Sequence, residues 1–354
     1  MSVFSQVASF WAEGALDAID SFRRGYGCAE NDPPPATPSD IVYEGGKVRL
    51  RHYHARGPVR HRTPLLLIYA LIKRPFILDL MPGKSVVEKL TKAGFDVYLT
   101  DWIPPNDDDT WRDFNAYVNG DVANSVRAIQ IEHDTDQVNI LGYCFGALLA
   151  LSYTAFNPDI VKNLIVLTTP FDMSKRELPI SHLMEHLSPH TAELVTSIHG
   201  NAPAWAINLM FNAMSPPHHL LNKFVGRYRN LDREGYDEMF TLFERWMASD
   251  VPLAGGVFKE MASELAGENK LCRNLFEIGG RRVDLTSITM PLLNIIGEYD
   301  DVVHPSQSYG VLDAVGSTDK RTIAFPAGHI GVGVGDSALK KLWPEVTKWL
   351  AEHD

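Results

Sequence analysis

The sequence predicts a mostly parallel β-sheet covered by helices and interrupted once by a large helical insertion. Short apolar runs alternate with amphipathic segments along most of the chain, which is the pattern of strand–helix–strand units. Between residues 173 and 287 the alternation lapses and Trp, Met, Phe, Pro and His accumulate, as in Trp205-Ala206-Ile207-Asn208-Leu209-Met210-Phe211 and Phe243-Glu244-Arg245-Trp246-Met247. A chain of 354 residues, 45% of them hydrophobic, can bury a core large enough for one domain with an insertion or for two domains.

Charge and composition exclude several classes. The formal net charge of −11 and the lack of a dense Lys/Arg run leave no electrostatic footprint for nucleic acid. Cys28, Cys144 and Cys272 are widely spaced, odd in number and unpaired in sequence, which argues against a disulfide framework and against a metal site. A reducing cytoplasm fits that usage. No apolar stretch approaches the roughly 18 to 20 residues of a transmembrane span, and no secretion signal is expected.

In chain order, residues 3–24 carry Phe4, Val7, Trp11, Ala15, Ile19 and Phe22 at helical spacing, an amphipathic helix that packs on the main domain or meets a partner or an apolar surface. The prolines at 33, 34, 35 and 38 then end any helix and make a linker. Strands are expected at 47–53, 64–68, 97–100, 138–141, 164–167, 292–296 and 322–325, with helices at 86–93, 117–133, 145–156, 306–315 and 337–351. The chain therefore divides into an N-terminal helix and linker (1–38), a first part of the core (39–172), a helical cap or lid (173–287) and a second part of the core (288–354).

The stretch Val138-Asn139-Ile140-Leu141-Gly142-Tyr143-Cys144-Phe145-Gly146-Ala147 reads strand, sharp turn, helix, a nucleophile elbow with cysteine at its tip. Gly142 and Gly146 give the clearance that the crossing backbone needs, and the helix that begins near Phe145 points its free N–H groups at a thiolate or an oxyanion. On this pentapeptide alone a buried structural cysteine fits as well. A nucleophilic cysteine also needs a histidine base and a carboxylate, in that fold each just after a late strand. Gly297-Glu298-Tyr299-Asp300-Asp301-Val302-Val303-His304-Pro305 follows one expected strand, and Pro326-Ala327-Gly328-His329-Ile330-Gly331 follows the last. Asp300 is preferred to Asp301 because it sits three residues after Gly297 with Val302 and Val303 beyond it. His133, His182, His186, His190, His218 and His219 lack such a context. The fold expected from these features is the α/β-hydrolase fold with a helical cap.

These residues resemble a known family, the catalytic subunit of class III polyhydroxyalkanoate synthases. The resemblance runs from about residue 64 to the end and rests on the cysteine box, on Tyr69-Ala70-Leu71-Ile72-Lys73-Arg74-Pro75 with Ile77-Leu78-Asp79-Leu80, and on Gly94-Phe95-Asp96-Val97-Tyr98-Leu99 with Asp101-Trp102. Gly280-Arg281-Arg282-Val283-Asp284-Leu285 and Gly328-His329-Ile330-Gly331 complete it. Two positions depart from the family pattern, Ala147 in place of glycine and His304 in place of proline, and the second is expected to loosen the loop near the acid.

The resemblance implies polymerisation of (R)-3-hydroxyacyl-CoA, with short-chain units such as 3-hydroxybutyryl-CoA expected, into a polyester with release of coenzyme A. Cys144 would be the acyl carrier, His329 the base, Asp300 its partner, and the backbone N–H groups of Phe145 and Ile72 the oxyanion donors. It implies no cofactor beyond the thioester substrate, a second non-catalytic subunit, a possible homodimer, and a cytoplasmic place at the surface of polyester granules. A cysteine-type esterase, thioesterase or dienelactone-hydrolase-like enzyme would share the same three residues and is distinguished by letting water attack.

Overall fold

The structure is a computed structural model that describes residues 32–55, 57–175, 177, 189–208, 235–249 and 251–354. The expected N-terminal helix, Cys28, His182, His186, His218 and His219 lie outside the described residues.

Strands β1 (Ser39–Gly45), β2 (Val48–Tyr53), β3 (Leu65–Ile68), β4 (Val97–Trp102), β5 (Val138–Tyr143), β6 (Val161–Leu167), β7 (Leu292–Gly297) and β8 (Lys320–Phe325) form one sheet in the order β1-β2-β4-β3-β5-β6-β7-β8. β2 is antiparallel to β1 and to β4, and every pairing from β4 onward is parallel. β3, β4 and β5 are buried along their whole length, which is why they read as mainly apolar runs, interrupted by Thr100, Asp101 and Asn139, rather than as alternating ones.

The helices are α1 (Val86–Ala93), α2 (Ala123–His133), α3 (Phe145–Phe156), α4 (Pro189–His199), α5 (Tyr236–Met247), α6 (Gly255–Glu260), α7 (Pro305–Tyr309) and α8 (Trp343–Glu352), with several shorter turns between them. α1 shows how local sequence sets such a boundary. The Ser85 side chain accepts from the Glu88 N–H at the start, and Gly94 in the left-handed conformation closes the end. All twelve residues of α3 are buried, as its Leu- and Ala-rich sequence requires against the sheet.

Four features differ from the expectation. β1 was not expected, because Ile41 and Val42 lie 40% exposed on an edge strand and its sequence carries no apolar pattern. The helices expected at 117–133 and 337–351 each open with a π-helical turn, Ala116–Val122 and Ala338–Leu342, that a 3.6-residue period does not reveal. The helix expected at 306–315 is broken after Tyr309. Between 173 and 287 there is a two-residue hairpin, Glu277–Ile278 with Arg281–Arg282, turned by Gly279 and Gly280 with φ +59° and +75°. From Leu253 to Leu285 much of the insertion, including Val257, Phe258, Phe276 and Val283, is buried in the same apolar cluster as the sheet.

The elbow glycines explain how tightly α3 meets the sheet. A Cβ on Gly146 would stand 2.1 Å from the Ile68 carbonyl oxygen and 2.7 Å from that of Tyr69, both backbone atoms. One on Gly142 would stand 2.5 Å from the Ala147 Cα. Gly146→Ala should therefore lose at least about 3 kcal/mol of stability or fail to fold, since the overlap is with backbone that cannot turn aside. Gly120→Ala, where nothing lies within 4 Å, should be neutral or stabilising by up to about 1 kcal/mol. Urea denaturation of the two variants checks the contrast, and equal stabilities would refute it.

Candidate active site

The turn between β5 and α3 holds Cys144 at φ 55° and ψ −121°, a conformation that only a tightly determined backbone imposes on a non-glycine residue. Its N–H donates to the Leu167 carbonyl at 2.9 Å, and its own carbonyl accepts from the Ala147 N–H at 2.9 Å. The side chain is left partly exposed at the end of the strand. Phe145, first residue of α3, has no intrahelical acceptor for its N–H. The close approach of Gly146 to Ile68 and Tyr69 brings the loop after β3, which carries Ile72, against this helix start.

β7 and β8 are parallel neighbours with Gly297 opposite Phe325, so the loops that follow them emerge side by side. The first supplies Asp300 and the second His329. The His329 Nδ1 lies 2.7 Å from the Asp300 Oδ2, and both side chains are buried, 7% and 1% exposed. The other carboxylate oxygen, Oδ1, accepts from the N–H groups of Val302 and Val303, each at 2.8 Å. Asp300 is thus fixed by three donors. With Nδ1–H directed to the carboxylate, Nε2 is the ring atom left for Cys144, whose charge acts on the ring.

Burial alone would push the His329 pKa down, but the charges of Asp300 and Cys144 and the hydrogen bonds to both raise it well above its ordinary value. Burial and the nearby Asp172 push the Cys272 thiol up and away from reactivity.

The structure therefore brings together Cys144, Asp300, His329 and the start of α3. His133 pairs instead with Asp96, and His190 is exposed on α4. Ala147 is fully buried within the elbow. The loop expected to loosen at His304 is held instead, because that side chain caps α7 by accepting from the Ser306 N–H and Pro305 takes the first helical position. Among the described residues no group of three or more His, Cys, Asp or Glu side chains could hold a metal ion, and no helix is long and apolar enough to cross a membrane.

Two supporting residues escaped the sequence reading. Tyr143, inside the cysteine box, donates from its buried hydroxyl to the His329 carbonyl at 2.9 Å. Glu260 accepts from the Phe114 N–H at 2.6 Å, and the Phe114 ring packs 5.5 Å from that of Phe145. Neither contact has a local signal, since each partner is far away in sequence.

Comparison with known proteins places these features in a family. Residues 63–336 match the family model of the alpha/beta hydrolase fold. The chain is 36% identical to the poly(3-hydroxyalkanoate) polymerase subunit PhaC of Haloferax mediterranei over 90% of its own length and 64% of that protein's. It is 32% identical to the subunits of the same name from Allochromatium vinosum and Synechocystis, covering 90% and 96% of this chain and 89% and 92% of theirs. The chain belongs to the poly(3-hydroxyalkanoate) polymerase family. Among solved structures, the monoacylglycerol lipase of Paleococcus ferrophilus superposes with a TM-score of 0.58 at 14% identity, covering 87% of this chain and all of the lipase, a likeness of fold. The cysteine box of this polymerase-family chain thus stands on an α/β-hydrolase sheet.

The half-buried carboxyl of Glu260 offers a test of how the elbow is supported. Burial raises its pKa to about 7 against the pull of the Phe114 N–H, with the charges of Asp113 and Glu264 adding to the rise. The folded chain keeps a proton that the unfolded chain releases, so stability should fall as pH climbs from about 4.5 to about 7 and level off above. Glu260→Gln keeps an acceptor for Phe114 without the titration. Urea midpoints should therefore shift in favour of the variant across that window, and parallel pH profiles for the two proteins would refute the role.

Proposed function

We propose that the chain polymerises (R)-3-hydroxyacyl-CoA, with short-chain units such as 3-hydroxybutyryl-CoA, by way of an acyl thioester on Cys144. The observation that carries this reading is a cysteine at a strained elbow facing a buried histidine–aspartate pair, in a chain of the polymerase family. His329 takes the Sγ proton through Nε2, and the thiolate attacks the thioester carbonyl. The oxyanion is held by the N–H groups of Phe145 and Ile72, and losing one such donor commonly costs about 3 to 4 kcal/mol. As the carbonyl re-forms, the bond to the coenzyme A sulfur breaks and His329 returns the proton to the departing thiol.

The product of this step is again a thioester, close in energy to the substrate, so the acyl group remains activated. A 3-hydroxyl group then attacks it. His329 removes the hydroxyl proton, an ester bond forms, and Cys144 is regenerated. Asp300 keeps the ring in the required tautomer and balances its charge. No cofactor enters this scheme. Residues 173–287 would act as a cap that keeps water from the acyl enzyme, because hydrolysis would end the chain.

The word subunit in the relatives' names supports a second, non-catalytic chain as partner. A homodimer and a cytoplasmic place at the polyester granule surface belong to the same proposal.

Cys144→Ala should abolish release of coenzyme A from 3-hydroxybutyryl-CoA, and Cys272→Ala should leave it largely intact. Asp300→Asn should slow turnover by about 10²- to 10⁴-fold, the range of a lost general acid–base function. The assay is run with and without a partner subunit, with the product sized. Free 3-hydroxybutyrate in place of polymer would turn the assignment to a cysteine esterase or thioesterase, and persistent turnover by Cys144→Ala would end the covalent scheme.

A further inference from the structure

The loop after β3 is held on two sides, and the two sides belong to different parts of the fold. On the sheet side, the Tyr69 N–H donates to Thr100 Oγ1 at 3.0 Å and the Trp102 indole donates to the Tyr69 carbonyl at 2.8 Å. The Arg74 guanidinium, 1% exposed, reaches Asp101 at 2.6 Å, Asp32 at 2.8 Å and the Trp102 carbonyl at 2.7 Å. These contacts tie the two ends of the loop to β4 and to the start of the linker. Ile72 lies between them.

On the other side stands α5, from the insertion, which packs over Pro75–Leu78 and Asp79–Met81. Two hydrogen bonds join it to the loop, and they are reciprocal. The buried Trp246 indole N–H donates to the Arg74 carbonyl at 2.9 Å. The Lys73 ammonium donates to the carbonyl of Met247, the last residue of α5. Lys73 is buried and holds φ at +69°, an unfavourable conformation for a long side chain that persists only where the surroundings require it. A cation at the C-terminal end of a helix is favourably placed, so this contact has electrostatic as well as hydrogen-bond character.

We propose that Trp246 and Lys73 latch α5 to the oxyanion loop, so that the Ile72 N–H stands in its working position only while this helix of the insertion is seated. The proposal rests on the reading above that Ile72 supplies one oxyanion donor. Trp246 and Lys73 are positioning residues in it, acting through the backbone of residues 72–74. Seating of the insertion then controls the acylation step as well as access to Cys144. An unseated α5 would leave the Cys144 thiol and its base intact and the oxyanion underdonated.

The test compares a reaction that needs the oxyanion hole with one that does not. Trp246→Phe removes the indole N–H and keeps an aromatic ring, and Lys73→Met removes the ammonium and keeps the chain length. Each should lower kcat for coenzyme A release by roughly 10- to 100-fold, the scale of a misplaced rather than a deleted donor, with KM changed by less than about 3-fold. Alkylation of Cys144 by iodoacetamide, which forms no oxyanion, should stay within about 2-fold of the parent rate. Thermal unfolding establishes that each variant is folded, and if Trp246→Phe is not, Lys73→Met decides by the same criterion. Unchanged kcat in the folded variants overturns the latch, as does a parallel fall of kcat and alkylation, which would mean general damage to the elbow. Cys144→Ala separates the two levels: turnover surviving in it refutes the site itself, whereas its loss together with unchanged kcat in the latch variants refutes the latch alone.

Discussion

The close approach of Gly146 to the backbone at the end of β3 is the constraint on which the rest of the site depends. A Cβ there would overlap two carbonyl oxygens, so the start of α3 can lie against β3 only because position 146 has none. That contact sets three things together: the angle at which α3 leaves the sheet, the direction of the Cys144 side chain, and the distance from the Phe145 N–H to the loop that carries Ile72. The left-handed backbone at Cys144 costs on the order of 1–3 kcal/mol. Burial of α3 offsets it, since Leu148, Leu149 and Leu151 alone are each worth about 2 kcal/mol when taken fully out of water.

The second half of the site is fastened to the first through polar contacts in the interior. His329 and Asp300 come from adjacent strand ends, and their charges would be costly to bury if either oxygen of Asp300 were left without a donor. Two backbone N–H groups and the imidazole meet that requirement. Tyr143 then joins this pair to the elbow, because the residue directly before the cysteine donates to the carbonyl of the histidine. Burial pushes the Tyr143 phenol well above its ordinary pKa, so it stays a neutral donor beside the charged groups. The histidine loop and the cysteine turn are in this way a single assembly, and neither can shift without moving the other.

Much of this was legible in the sequence, and the parts that were not share a physical cause. The buried strands announced themselves because parallel strands covered on both faces read as apolar runs, unbroken in Leu65–Ile68 and broken only by Asn294 in Leu292–Gly297. The cysteine box was legible because a strained turn demands glycine at fixed positions. Asp300 could be preferred to Asp301 because its distance from Gly297 is set by the strand end, and the structure has Asp300 on the ring. Edge strand β1 and the π-helical turns were not legible, since an exposed strand has no apolar signature and one added residue per turn leaves the pattern almost unchanged. The contacts of Tyr143, Glu260, Lys73 and Trp246 were invisible for another reason. Each joins segments that only the tertiary fold brings together, and a tyrosine, glutamate, lysine or tryptophan carries no mark of such a partner.

The placement of α5 bears on why an insertion is useful to a chain-growing enzyme at all. A hydrolase turns over once per substrate, and water is always at hand. Under the proposed scheme the acyl enzyme must instead survive until a hydroxyl arrives, and a thioester is stable enough to wait only if water is kept from it. A cover that did nothing but exclude water would also have to be displaced for each incoming unit. Under the proposed latch, coupling the cover to the oxyanion loop would resolve the conflict: with α5 lifted the donor at Ile72 would be withdrawn, so water that entered would meet a thioester whose carbonyl is poorly activated. Activation would return as the helix settled over the bound unit. The same two hydrogen bonds from Trp246 and Lys73 would then serve exclusion and activation together, which places the chemical selectivity for polymer over acid in the joint between the insertion and the sheet.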